Sequence, residues 1–167
     1  VALPGGKLLG GTTTSAGTGG AKKASQAELY VMDMATKRVE WHEPVFPGAQ
    51  SFTDMLALDD GLVVGFADRT RFFVFDSRAR KVVHQQDTSS GAGPCVSNQG
   101  PRVFLRDAKG ALYALLTKGV AHIEPGSWRL TLLAESPVPV DACGDILDGR
   151  VYYSSVAKLY SDGGVAR

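Results

Sequence analysis

One phrase recurs four times along this chain, and its recurrence limits the folds open to it. A glycine opens a short strand, a second strand follows, and an acidic residue closes the pair. The clearest copy runs from Gly61-Leu62-Val63-Val64-Gly65 to Arg71-Phe72-Phe73-Val74-Phe75-Asp76. The others run from Gly6-Lys7-Leu8-Leu9 to Leu29-Tyr30-Val31-Met32-Asp33, from Gly110-Ala111-Leu112-Tyr113 to Ala121-His122-Ile123-Glu124, and from Gly149-Arg150-Val151-Tyr152 to Leu159-Tyr160-Ser161-Asp162. These segments are short, rich in Val, Phe and Tyr, and bounded by Gly, Asp or Pro, and none keeps a 3.6-residue apolar stripe for three turns. The chain therefore reads as all-β.

A third strand follows the acidic marker in three of the copies. Asp33-Met34-Ala35-Thr36-Lys37-Arg38-Val39-Glu40-Trp41 parallels Asp76-Ser77-Arg78-Ala79-Arg80-Lys81-Val82-Val83-His84, with Glu124 to Leu132 as a looser third copy. Phe52 to Leu58, Arg102 to Leu105 and Ala142 to Leu147 supply candidate inner strands ahead of the glycines. Four antiparallel strands per unit suit the blade of a propeller, because a sandwich gives no reason for the same phrase to return. The markers Asp33, Asp76, Glu124 and Asp162 lie 43, 48 and 38 positions apart, which is blade length. The expectation is a β-propeller segment of about three to four blades, each a four-stranded antiparallel sheet, over residues 6–42, 50–86, 97–135 and 140–162.

The phrase resembles β-propeller repeats of the kelch, WD40-like and streptogramin-lyase-like kind, in which a glycine precedes the second strand of a blade and Asp ends the third. The resemblance covers almost the whole chain and is to an architecture, not to an activity. There is no Trp-Asp dipeptide, no paired glycine of kelch type, and no His and Glu arrangement that matches the lyase. The resemblance implies that long connections gather on one face, at the mouth of a central channel. Read this way, the first unit begins at its second strand and the last stops after its third, so the expectation is a piece of a larger propeller.

Irregularity within the repeat marks candidate function. From opening glycine to acidic marker the distances are 27, 15, 14 and 13 residues, so the first unit carries an insertion within Thr12 to Gln26. That run of Thr, Ser, Gly and Ala with Lys22 and Lys23 reads as a mobile surface loop. It fits neither nucleotide-binding glycine pattern, and no helix follows it. Together with Glu43 to Ser51, Gln86 to Asn98 and Ser136 to Asp141, it is expected to present a binding face. Candidate contacts are Thr12, Ser15, Lys22, Lys23, Trp41, His42, Gln50, Ser51, Asn98 and Asp141, with Phe46 and Ser97 beside them, since flat apolar surface plus hydrogen bonding suits polar ligands.

Catalytic signals are sparse. His42 and the inner-strand Asp54 are the weak candidates for an acid and base pair, while His84 takes the place of Trp41 in the repeat and His122 reads as a half-buried strand residue. Asp59-Asp60-Gly61, Asp107 to Gly110 and Asp148-Gly149 are hairpin turns, and Asp141 and Asp145 lie beside an inner strand. No metal site and no cofactor are expected. Cys95 and Cys143 each enter an inner strand of successive units, and both a disulfide and two small packing residues remain open. Pairing would favour an extracytoplasmic location.

With 18 basic and 17 acidic side chains, nothing in the charge points to nucleic acid. No apolar run approaches the roughly 20 residues of a membrane helix, and the first residues do not read as a secretion leader, so the expectation is a leader removed or never present. The expected role is binding a polar small molecule, glycan or protein. A lyase or hydrolase at the channel mouth is the alternative, and a scaffold docking onto the rest of a propeller or a second chain is a third.

Overall fold

The computed structural model describes residues 1–16, 20–21, 24–96 and 103–155, with backbone alone at 142–143. The chain divides into two compact units, Val1–Gln85 and Gln86–Arg167. The described residues contain fourteen strands and no helix, so the fold is all-β and built of several blades.

The first unit holds two four-stranded meanders. Sheet one is β1 (Ala2–Leu3), β2 (Lys7–Gly11), β3 (Leu29–Asp33) and β4 (Val39–Glu43), in that spatial order. Sheet two is β5 (Phe52–Ala57), β6 (Leu62–Ala67), β7 (Arg71–Asp76) and β8 (Lys81–Asp87), whose last two residues pass into the second unit. That unit carries β9 (Phe104–Arg106), β10 (Leu112–Leu116), β11 (Gly119–Ile123) and β12 (Leu130–Glu135) as a third meander, and β13 (Ala142–Leu147) with β14 (Arg150–Ser154) as a hairpin. The region of Asp162 lies outside the described residues.

Sheet one differs from the sequence reading at its inner edge. The reading starts that unit at Gly6, but β1 precedes it, pairing Ala2 with Leu8 and Leu3 with Lys7. The main chain of Val1 extends the ladder by exchanging hydrogen bonds with Leu9. A Gly5-Gly6 turn, both at positive φ, lets so short a strand fold back.

The repeated phrase is a pair of turns. Gly61 adopts φ +88°, a conformation that L side chains avoid, and Gly6, Gly110 and Gly149 share it at +70°, +86° and +72°. Each therefore closes a hairpin between an inner strand and the next. The acidic markers organise the other turn. Asp33 Oδ1 accepts the Thr36 N–H at 2.7 Å, and Asp76 Oδ1 accepts those of Arg78 and Ala79 at 2.9 Å. Glu124 does this more weakly, accepting the Ser127 hydroxyl at 2.8 Å. Four residues after each marker stands a non-glycine at positive φ: Lys37, Arg80 and Trp128.

Apolar alternation builds the first unit's core. Leu9, Leu29, Val31, Phe46, Val63, Phe73 and Phe75 form one buried cluster joining its two sheets. Phe73 meets Phe46 at 5.4 Å and Phe52 at 5.8 Å between ring centroids. Its ring also covers Gly65, where an added Cβ would sit 2.5 Å from Cζ, so the glycine makes room for the aromatic opposite it. Val64, Phe66, Phe72 and Val74 are equally buried, so β6 and β7 carry apolar residues on both faces while β8 alternates exposed and half-buried.

Candidate functional site

The insertion of the first unit spans the β2–β3 connection, and its two legs are held. Thr12 N–H donates to the Glu28 carbonyl at 2.9 Å, and Glu28 N–H donates to Thr12 Oγ1 at 2.8 Å, which carries the β2–β3 ladder one step further. Beyond that point the legs leave each other and pair with the β4–β5 connection. Thr13 forms a bridge with Ser51, Thr14 N–H donates to the Gln50 carbonyl at 2.8 Å, and Ala27 N–H donates to the Ala49 carbonyl at 2.6 Å.

Gln50 is the hub of this brace. Its Oε1 accepts the Thr14 hydroxyl at 2.8 Å, while its Nε2 donates to the carbonyls of Gly48 at 2.8 Å and Ser25 at 3.3 Å. Gln26 Oε1 in turn accepts the Gly48 N–H at 3.1 Å. The hub is fixed from a third connection: Asp68, in the β6–β7 turn, accepts the N–H groups of Gln50 at 2.7 Å and Ser51 at 3.0 Å on one oxygen. Below lies an apolar footing in which Phe46 is buried and Arg71 sits 5.2 Å over its ring.

This differs from the loop expected of so polar a run. Thr14 is 5% exposed and Ala27 is fully buried, because long-range amide and hydroxyl bonds replace the apolar packing the legs lack. Lys22, Lys23 and Thr18 lie outside the described residues.

The expected contact residues separate into three groups. Thr12, Ser51 and Gln50 come together in the brace, with Ser15 exposed beside them and its N–H on Thr13 Oγ1 at 3.1 Å. His42 joins them from β4: its Nδ1 lies 2.7 Å from Glu28 Oε2, and the imidazole side chain is 65% exposed. An ionised carboxylate can only accept, so Nδ1 carries the hydrogen of this bond. Trp41 takes no part. It pairs with Val31 and packs on Phe75 at 5.5 Å, half-buried in the core margin.

Asp54 stands elsewhere, on β5. Burial lowers the proton affinity of the Val1 amino group, and the Asp54 carboxylate partly offsets this. His42 lies on β4, the edge of sheet one opposite β1. The two weak catalytic candidates thus stand on different sheets of the first unit. Asp141 belongs to the second unit, where its N–H pairs with the Ser154 carbonyl at 3.1 Å. Asn98 and Ser97 lie outside the described residues.

Sequence reasoning missed Asp68 and Glu28, and it had Gln26 and Thr14 only as unremarked members of the Thr12 to Gln26 run. Asp68 carries a local signal, an Asp-Arg pair between two strands, and both residues adopt positive φ; the other three carry none.

The second unit braces its own loops. Thr88 Oγ1 donates to the Gly93 carbonyl at 2.8 Å, Lys118 Nζ reaches the carbonyls of Ser90 and Gly91, and Ser136 Oγ lies 2.6 Å from the Tyr153 hydroxyl. The Gln86 carboxamide exchanges two bonds with the main chain of Leu130, at 2.8 and 2.9 Å, as a neighbouring strand would.

Other reactive groups stay in structural settings. Among the described residues no three His, Cys, Asp or Glu side chains converge to hold a metal. Cys95 is fully buried, and the Cys143 side chain lies outside the described residues. His122 pairs with Tyr113 across the sheet at 5.4 Å. His84 packs edge-on against Phe72, and its buried Nε2 has no hydrogen-bond partner among the described residues. Burial pushes that imidazole below its ordinary pKa. Among the described residues no helix is long and apolar enough to cross a membrane.

No family model matches the sequence, and no curated protein is similar to it at a significant level. Among solved structures, the chain is similar to a protein of unknown function from Bacteroides caccae, with 15% identity and a TM-score of 0.35. The alignment covers 74% of this chain and 60% of that one.

Proposed function

We propose that this chain is a binding segment of a β-propeller within a larger protein, taking a polar ligand, a carbohydrate or a peptide, at the connections gathered around Gln50. One observation supports this reading above others: the first unit's long insertion stands on a hydrogen-bonded base tied to two further connections through Gln50 and Asp68. Loops on a rigid scaffold are where binding residues concentrate, because a held base lowers the ordering cost of capturing a ligand. Thr13 and Ser15 supply exposed hydroxyls there, and His42 an exposed imidazole beside the half-buried Glu28 carboxylate.

The orientation of His42 favours a second reading, a lyase or hydrolase. A carboxylate on Nδ1 leaves Nε2 as the base, and a substrate would have to bring its reacting proton to that nitrogen.

The test is a screen of the intact chain against an oligosaccharide array and a short-peptide library, repeated with residues 15–24 replaced by a Gly-Ser turn and with His42→Ala. Binding is expected for the intact chain, lost with the shortened loop while the circular dichroism is unchanged, and weakened about threefold to tenfold by His42→Ala. Absence of any hit, or equal binding by the shortened chain, overturns the proposal. Turnover that disappears with His42→Ala moves the assignment to the enzyme.

A further inference from the structure

The first unit has a second cleft, at the other ends of the same strands. Its turns are β1–β2 and β7–β8, whereas Gln50 and Asp68 occupy the connections β4–β5 and β6–β7. The cleft measures about 400 Å³, within the range of small-ligand sites. Leu3, Pro4 and Val31 supply its apolar lining, and Lys7, Glu40, Arg78 and Arg80 its charge.

These charges are not equally occupied. Lys7 Nζ lies 2.7 Å from Asp33 and 2.5 Å from Glu40, so the lysine is spent. Its ammonium, ahead of the Thr36 N–H, holds Asp33 well below the usual carboxylate range, and Lys7 is raised in return, so the pair stays ionised at neutral pH. Glu40 approaches Arg80 only at 3.9 Å, beyond hydrogen-bond distance. The Arg78 side chain has no hydrogen bond or ion pair among the described residues. Both arginines rise from one turn that Asp76 fixes through the N–H groups of Arg78 and Ala79, with Arg80 itself at φ +54°. Two guanidinium groups on a fixed turn thus retain donor capacity beside an apolar wall.

We propose that this cleft binds a carboxylate carried on an apolar body, with Arg78 and Arg80 grasping the carboxylate and Leu3, Pro4 and Val31 receiving the body. Planar guanidinium donors match a carboxylate two bonds at a time. Glu40 in the lining selects a monoanion over a phosphate dianion, because each added negative charge is repelled by the carboxylate already there. A free organic acid and the C-terminus of a peptide share this chemistry. The site is independent of the Gln50 rim.

The experiment titrates the intact isotope-labelled chain with 3-phenylpropionate and follows amide shifts. Parallel titrations use the neutral 3-phenylpropanamide, inorganic phosphate, and a short peptide ending in Leu-Phe with a free or amidated C-terminus. We expect the acid to shift amides of residues 3–7 and 77–81 with roughly millimolar affinity, as suits a fragment of this size. The amide should bind at least fivefold more weakly, as should phosphate. Arg78→Ala, an exposed position whose spectrum should overlay elsewhere, is expected to weaken the acid at least fivefold, with Arg78→Lys between. Preference for the free over the amidated peptide beyond that for the small acid assigns the site to chain termini, and the reverse order to free acids. Equal shifts from acid and amide, stronger binding of phosphate, an unchanged affinity in Arg78→Ala, or no shift near either turn overturns the proposal.

Discussion

Asp68 is the residue on which the candidate rim turns, and its replacement series separates two contributions. One carboxylate oxygen accepts the Gln50 and Ser51 N–H groups at 2.7 and 3.0 Å. Bonds to a charged acceptor contribute about 1.5–3 kcal/mol when buried, and half-exposed ones about 1 kcal/mol each, so losing both costs about 2 kcal/mol. The backbone adds a second term, because Asp68 has φ +49°, which Asp and Asn tolerate better than Ala by up to about 1 kcal/mol. Asp68→Ala loses both and should destabilise by about 2–3 kcal/mol. Asp68→Gly removes the carboxylate but suits the backbone, for about 1.5–2 kcal/mol. Asp68→Asn keeps an acceptor and the left-handed preference, for about 0.5–1 kcal/mol. Urea unfolding gives the order, and amide exchange at Gln50, Ser51 and Thr14 tells whether the loss is local. Thr14 is decisive: its N–H donates to the Gln50 carbonyl, so its exchange should quicken although Asp68 does not touch it. Ala no worse than Gly, or Thr14 exchange unchanged in Asp68→Ala, would refute the brace.

Two further perturbations address the core and the titration of the fold. Phe73→Ala removes a fully buried ring lying between Phe46, Phe52 and Gly65, and should cost about 3–5 kcal/mol in equilibrium denaturation, with Phe73→Leu below about 2 kcal/mol. His84 sets a pH dependence. Burial holds its folded pKa below the ordinary 6.5, so beneath that value the unfolded chain takes up a proton that the folded chain resists. The contribution of His84 is therefore complete above about pH 6.5 and declines as pH falls through the window down to the folded value. Urea midpoints compared between the parent and His84→Phe should diverge in favour of the variant on acidification, and a constant difference would show that burial of the imidazole has no proton linkage.

Local turn chemistry was legible because it is written in consecutive residues. Gly61, Gly110 and Gly149 sit where a hairpin needs positive φ, and Asp33 and Asp76 cap the turns that follow them. Strands at Leu62–Ala67, Arg71–Asp76 and Arg150–Ser154 start where the sequence reading starts their branched and aromatic runs. What escaped the reading depends on partners far along the chain. β1 is two residues long and exists because Leu8 and Lys7 offer an edge to pair with. Thr14 and Gln50 are 36 positions apart, and Gln50 and Asp68 are 18, with no periodicity to connect them. The packing of Trp41 has the same character: it comes from Phe75 of the neighbouring sheet, 34 positions on, and leaves the indole half-buried.

The two ends of the first unit use different chemistry, and this bears on what each can recognise. Around Gln50 the bonds join amides, hydroxyls and main-chain groups, with a single carboxylate, Asp68, anchoring the hub. Such a base is insensitive to salt and leaves hydroxyl and imidazole groups at its margin, which suits neutral, hydrogen-bonding ligands. At the β1–β2 and β7–β8 turns the order comes from Lys7, Asp33, Glu40 and the two arginines, so the binding proposed there should follow charge and weaken as ionic strength rises. The repeat accounts for the difference. The strand ends near Gly6, Gly61, Asp33 and Asp76 carry the repeated turn geometry of the phrase and stay short, so the copies differ there in the side chains on those turns. At the opposite ends the phrase imposes no turn, and variation enters through length, as the β2–β3 insertion does.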